Sequence, residues 1–419
     1  MKIAIIGSGI AGLGAAWLLH KTHDITVYEP NDYIGGHSRT IDIQIGDRTV
    51  PVDTGFIVYN ERNYPHLTGL FRHLDVPTVE SDMSFGASIG ANENRGWLEY
   101  GSKGMFAQKA NLIRPQFLGM LRDILRFNRT ALAFAKGRED MTLGALLDAM
   151  AMGDWFRRYY LLAMGAAIWS SPLDTILDYP AQTFLRFFEN HGLLTVNGHP
   201  QWRTVQGGSR EYVRLLTAPF RDRIRLNCGA RAVKRREGKV TVEDERGQRE
   251  DFDQVIFACH ADQALRLLQQ PNERERSILG AFAYQKNRAV VHGDISFMPK
   301  RKACWSSWVY LSESQEDKNP HVSLSYWMNR LQNLGTDQPV IITLNPGREP
   351  ARDLVWDEHA FDHPVFTLDA IRAQRRIEEI QGEGGVWHCG AYQRYGFHED
   401  GLMSAVDVAG KLGVPAPWM

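Results

Sequence analysis

The stretch from Lys2 to Pro30, KIAIIGSGIAGLGAAWLLHKTHDITVYEP, constrains the fold of this chain more than any other. Ile3–Ile6 is a short apolar run of the kind that forms a buried parallel strand. It leads directly into Gly7-Ser8-Gly9-Ile10-Ala11-Gly12, and Leu13–His20 then has the composition of a helix. Gly7 permits a tight turn, Gly9 lets backbone approach a pyrophosphate, and Gly12 lets the helix sit close to the strand. The helix N-terminus, at Ile10 and Ala11, offers unpaired N–H groups and a positive dipole end to phosphates. Asp24–Glu29 reads as a second strand, with Ile25 and Val27 alternating, and it ends in Glu29. An acid about 20 residues after the glycines suits a ribose hydroxyl and repels a 2′-phosphate. Strand, turn, helix, strand and acid together predict an α/β domain that binds a dinucleotide.

The next residues narrow the choice. Glu29-Pro-Asn-Asp-Tyr-Ile-Gly35-Gly36-His37-Ser-Arg39-Thr40 resembles the E-x5-GGR-x-x-[ST] stretch of the amine oxidase and phytoene desaturase superfamily of flavoproteins. The acid, the spacing, both glycines and Thr40 are kept, with His37 where the family has Arg. The resemblance implies FAD in extended form, with Arg39 the candidate to supply the missing charge. Val52-Asp53-Thr-Gly55-Phe56 resembles the family's D-x-G segment, which implies that Gly55 and Phe56 lie near the isoalloxazine ring. IRLNCGARAVKRREGKVTVEDERGQREDFDQVIFAC reads as a β-meander, and the resemblance implies backbone contacts from Val233 to adenine. At the far end, a short strand closing on Gly390 precedes Gly396-Phe-His-Glu-Asp400-Gly401-Leu402, which enters a helix. There the resemblance implies Asp400 as cap or anion and the backbone of Gly401 and Leu402 at the N1/O2 edge of the ring. Ala391 stands where the family has an acid.

Longer segments carry a closer likeness. DTGFIVYNERNYP, GHPQWRTVQGGSREYV, FACHADQALRLL, HGDISFMP and YGFHEDGLMSAVDVAGKL resemble bacterial flavoproteins whose relatives are encoded beside, or fused to, cyclopropane fatty acid synthases. The implied fold is a Rossmann-like FAD-binding domain of the glutathione reductase type with an α+β substrate domain. Residues 1–80, 203–268 and 382–419 are assigned to the first, and 81–202 and 269–381 to the second, with a helical segment at 102–170.

Within that segment Arg114–Lys136 places Phe117, Leu118, Leu121, Ile124, Leu125 and Leu132 at helical spacing, with arginines between them. Such a helix fits an anionic membrane surface. The preferred reading is a helix packed on the substrate domain with a solvated arginine face. Alternating polar and apolar residues from Ser81 to Gly101, including Trp97, predict strands. Forty-eight Lys+Arg balance 49 Asp+Glu, so no global field argues for nucleic acid. The four cysteines show no metal-ligand spacing and read as reduced thiols of a cytoplasmic protein, with the inner face of the membrane as a second location.

The expected activity is oxidation or reduction of an unsaturated or modified acyl chain by FAD, with a lipid or other small molecule as substrate. Three alternatives differ in class: an amine oxidase, a non-catalytic FAD-binding partner of a lipid methyltransferase, and an NAD-dependent dehydrogenase. No pair of caging tyrosines flanks the terminal motif, and no second GxGxxG offers a separate NAD domain. His292, Phe397 and His398 are the candidate catalytic side chains, chosen by position relative to the flavin-facing segments.

Overall fold

The computed structural model describes the whole chain except residues 91–97, 170–172, 196–199 and 313–322. Trp97 and the Gly198-His199 start of the GHPQWRTVQGGSREYV segment therefore lie outside the described residues. A five-stranded parallel sheet runs β3-β2-β1-β4-β5, built from β1 (Lys2–Ile6), β2 (Asp24–Tyr28), β3 (Ile224–Arg225), β4 (Gln254–Phe257) and β5 (Val386–His388). Ile5 pairs with Val27 on one side and Ile256 on the other. Alternation along β1 then decides what covers the sheet. Ile3 and Ile5 join a core with helices α1 (Ile10–Leu19), α4 (Arg210–Thr217) and α5 (His398–Lys411). Ala4 and Ile6 face the opposite way, into a core with Val233, Val240, Val255 and Phe257.

That second face is covered by an antiparallel sheet of strands Ala230–Arg236, Lys239–Asp244 and Arg249–Phe252. The sequence reads a meander from 224 to 256, with Val255–Ala258 implied by the resemblance as a parallel strand returning to the sheet. That return is found at β4, while the first end of the run, β3, also joins the parallel sheet and only the middle turns back on itself. Burial accounts for β4, whose Val255, Ile256 and Phe257 pair with β1 and find a core on both faces, whereas β3 is a half-buried edge strand on β2.

A seven-stranded mixed sheet forms the second unit, in the order 355–365, 283–292, 341–344, 323–327, 308–312, 85–89, 98–101. Helices α2 (Pro115–Ala135) and α3 (Ala181–Asn190) belong with it, sharing a core of Phe117, Phe127, Phe156, Phe184 and Phe188. Burying each such ring contributes up to about 3 kcal/mol. α2 packs through Phe117, Met120, Phe127 and Ala131, as a core helix should. The packed reading accounts for that face alone, since Leu118 and Leu125 point away from it and are exposed. Among the described residues no helix is long and apolar enough to cross a membrane.

Candidate FAD site

The turn after β1 is built as its glycines require. Gly7 has φ +108°, a conformation that side chains disfavour, and a Cβ on Gly12 would meet Gly7 O at 1.9 Å. The α1 ladder opens with Leu13 N–H on Gly9 O (2.9 Å), so the N–H groups of Ile10, Ala11 and Gly12 precede it. A Cβ on Gly9 would meet nothing within 4 Å. Open space in front of unpaired helix N–H groups is a fit for a pyrophosphate.

Glu29 follows β2 beside this turn, where the sequence reading expects a ribose. It is 4% exposed, and its carboxylate accepts from Ser8 N (3.0 Å), Ser8 Oγ (2.6 Å), Asn31 N (3.0 Å) and Asn31 Nδ2 (2.7 Å). Those donors hold the acid in place at the end of β2. Gly35 N–H donates to Ser8 O (3.1 Å), and Gly36 lies directly on Gly9, whose Cα would be 3.1 Å from a Cβ there. The two glycine segments thus form one surface.

The D-x-G segment lies against the same loop. Phe56 N–H donates to His37 O (2.8 Å), and a Cβ on Gly55 would be 2.2 Å from that oxygen. Asp53, buried, accepts from Thr40 Oγ1 (2.6 Å), Ser209 N (2.8 Å), Ser209 Oγ (2.8 Å) and Gln332 Nε2 (3.2 Å). Burial raises its carboxyl to about 6 against these hydrogen bonds. The sequence reading chose Gly55 and Phe56 and missed Asp53 as the pin joining the loop, α4 and the substrate unit. Ser209 precedes α4 without capping it, because its side chain is drawn to Asp53.

The tail of the chain meets its head here. Gly390 follows β5 and donates its N–H to Ser404 Oγ (2.8 Å). A Cβ on Gly401 would be 3.0 Å from Ile10 Cγ2, so α5 lies against the start of α1. Leu402 is wholly buried in their shared core. The α5 ladder already engages Gly401, whose N–H bonds Phe397 O (3.1 Å). The groups that precede the ladder are those of His398, Glu399 and Asp400, which corrects the placement of ring contacts at Gly401 and Leu402. Asp400 is the third residue of the helix rather than its cap; it accepts from Phe397 N–H (2.9 Å), and burial raises it to about 7.

His398 Nε2 stands 2.8 Å from Ser38 Oγ and 3.2 Å from Tyr212 Oη, and those two hydroxyls bond each other. Its ring stacks on Phe56 at 3.8 Å and 16°. Burial lowers His398 to about 3, so the imidazole is neutral. Ser38 and Tyr212 escaped the sequence reading, because only folding brings residues 38, 212 and 398 together. Phe397 turns the other way, stacking on Phe187 of α3 at 5.0 Å and 17°.

Three further expectations are corrected. Arg39 is committed to Asp357, with Nη1 at 2.7 Å and Nη2 at 3.2 Å, so it does not replace the family arginine. His37 lies 5.0 Å from the Phe361 ring, 5.4 Å from His363 and 6.4 Å from His260. Burial first, then the neighbouring imidazoles, keep His37 neutral. Phosphate charge on this side is left to backbone N–H groups and the α1 dipole. Val233 is wholly buried beneath the parallel sheet, pairs with Val242 in the antiparallel ladder, and its carbonyl accepts from Gln269 N–H (2.8 Å), so its backbone serves that packing. The chain beside Glu29 is Cys228, whose N–H donates to Glu29 O (2.9 Å). His292 sits wholly buried at the far end of strand Ala283–His292, bonded to Thr343 Oγ1 (2.8 Å). Burial lowers it to about 4, and it is a core residue of the second sheet.

A glycine-rich turn and an acidic strand end at the switch between β1 and β4, closed by a second helix N-terminus, define a dinucleotide-binding α/β flavoprotein. Residues 10–292 match the family model described as flavin containing amine oxidoreductase, and the chain belongs to that family. It is an FAD-dependent oxidoreductase. No curated protein matches it by sequence. Solved structures share its fold at low identity. A putrescine oxidase with bound putrescine superposes with TM-score 0.69 at 15% identity, covering 98% of this chain and 99% of that one. A cyclohexylamine oxidase from Brevibacterium oxydans gives 0.66 at 16%, with coverages of 98% and 99%. A fatty acid isomerase from P. acnes that produces CLA gives 0.68 at 14%, with 98% of each chain covered.

Proposed function

We propose that this oxidoreductase dehydrogenates, or reduces a double bond in, the acyl chain of an unsaturated or modified fatty acid or phospholipid. FAD, when bound, supplies two-electron exchange with carbon. The observation that supports the reading is the Phe397–Phe187 stack, which joins the N-terminus of α5 to the aromatic core of the second unit. Phe187 is itself 4.8 Å from Trp169, which lies 5.4 Å from Phe184. An apolar chain gains from aromatic surroundings of this kind, whereas an ammonium group needs a carboxylate or an aromatic cage.

The carboxylates at this terminus are engaged elsewhere. Glu399 accepts from His66 N (2.8 Å) and Leu67 N (2.9 Å), and Asp400 from Phe397 N–H. That favours a neutral substrate over an amine. His398, neutral and fixed by Ser38 and Tyr212, would be a group of this chain to exchange a proton with the substrate. The fatty acid isomerase shares the fold, which is compatible with an acyl substrate and does not select it.

The test is anaerobic spectroscopy of the flavoprotein. Unsaturated or methyl-branched acyl lipids should bleach the oxidised flavin, or reoxidise the reduced flavin, while putrescine and cyclohexylamine leave both unchanged. Bleaching by amines, or no response to acyl chains in either direction, overturns the reading.

A further inference from the structure

We propose that the outer face of α2 and the 3₁₀ turn before it dock on an anionic lipid bilayer. The molecule has nine exposed large apolar side chains among its described residues, and five of them lie between 106 and 125. They are Phe106 (41% exposed), Leu112 (53%), Ile113 (83%), Leu118 (45%) and Leu125 (59%). Isolated exposed leucines need no explanation, but five such side chains within one segment of twenty residues do. Leu112 and Ile113 end the turn Lys109–Ile113, which joins α2 at Pro115.

The helix has a second stripe besides its core stripe. Leu118, Arg122, Leu125 and Arg129 follow at spacings of four, three and four, which is one line down a helix face. Leu118 and Leu125 stand about 10 Å apart along it. The core stripe of Phe117, Met120, Phe127 and Ala131 lies on another face, so packing explains none of the outer residues.

Charge selects the occupant. From Lys109 to Lys136 the only acid is Asp123. It is 3% exposed, accepts from Gly153 N–H at 3.0 Å, and has Arg126 at 3.3 Å and Arg122 at 3.6 Å from its other oxygen. Lys109, Arg122, Arg129 and Lys136 are all exposed around the leucines. An outward face of leucine and arginine with no exposed carboxylate matches the interface of an anionic bilayer. There the apolar side chains enter the acyl boundary and the long basic ones reach headgroups. A protein partner or a second copy would have to cover Lys109, Arg129 and Lys136 with acids of its own, and α2 itself has no exposed acid to offer in a symmetric pairing.

This inference stands apart from the acyl-substrate reading, because lipid binding is measured without turnover. The experiment is sedimentation of the FAD-loaded protein with phosphatidylglycerol vesicles and, separately, phosphatidylcholine vesicles. Two variants are compared with wild type: Ile113→Ser/Leu118→Ser/Leu125→Ser and Arg122→Glu/Arg129→Glu. Flavin absorbance and thermal unfolding report whether each is folded.

Wild type should bind phosphatidylglycerol vesicles, and phosphatidylcholine at least about tenfold more weakly. Each variant should lose about tenfold or more in partition while keeping flavin and melting temperature, and salt should weaken wild-type binding. The proposal is overturned if wild type ignores anionic vesicles, if it binds both compositions equally, or if both variants bind as well as wild type. It is also overturned if light scattering shows a dimer that the serine variant disperses. Should a variant unfold, the single exposed changes Ile113→Ser and Arg129→Glu carry the same comparison.

Discussion

Gly401 lies against Ile10: a Cβ there would be 3.0 Å from Ile10 Cγ2. The contact joins the first turn of α1 to the first turn of α5, which are 391 positions apart in sequence (401 − 10). Both helix termini thereby face one crevice. Gly401→Val is expected to force them apart, costing about 1–3 kcal/mol of stability and much of the FAD. Flavin content after purification and a thermal melt check this together.

Glu29 accepts four hydrogen bonds from Ser8 and Asn31. Glu29→Ala leaves buried donors unpaired, at about 1–3 kcal/mol. The affinity of apoprotein for FAD is expected to fall by about tenfold or more. Titration of flavin fluorescence measures it, and an unchanged affinity would remove Glu29 from the ribose site.

Arg39 and Asp357 form a two-point ion pair, with side-chain exposures of 19% and 22%. A double-mutant cycle on Arg39→Ala and Asp357→Ala should return a coupling of about 1 kcal/mol in unfolding free energy. FAD affinity should move little, because the guanidinium serves the contact between the two units. A large loss of FAD in Arg39→Ala alone would instead give the residue a phosphate contact.

Burial raises Asp400 from its unfolded value near 3.8 to about 7. The folded protein then holds a proton that the unfolded chain has released between those values, so stability falls as pH rises through that window. The slope is at most about 1.4 kcal/mol per pH unit from this group. Asp400→Asn keeps the neutral form and should flatten the decline. Denaturant unfolding of both proteins at pH 5 and pH 7 decides it, provided the Asp53 contribution, raised to about 6, is common to both.

His398 stacks on Phe56 and bonds Ser38. His398→Phe keeps an aromatic ring on Phe56 and removes the nitrogen. Under the proposed chemistry, substrate-dependent flavin reduction should slow by about a hundredfold or more with flavin content unchanged. Stopped-flow reduction separates the two quantities.

Local sequence determined a great deal here, because short-range rules govern it. Gly7, Gly9 and Gly12 dictate a turn, Ile3–Ile6 dictates a strand buried on both faces, and Glu29 falls at the end of the next strand, bonded to Ser8 of that turn. The terminal motif likewise predicts a helix, although the fold begins it at His398, two residues before the expected cap. Tertiary structure alone decided the use of long side chains, whose reach spans elements that the sequence keeps far apart. Arg39 could face a phosphate or Asp357, and His292 could face the flavin or the core; distance in the fold settles each. The trio of Ser38, Tyr212 and His398 exists only because three separate segments converge. Backbone conformation answers to neighbours in the chain, and side-chain partnership answers to neighbours in space.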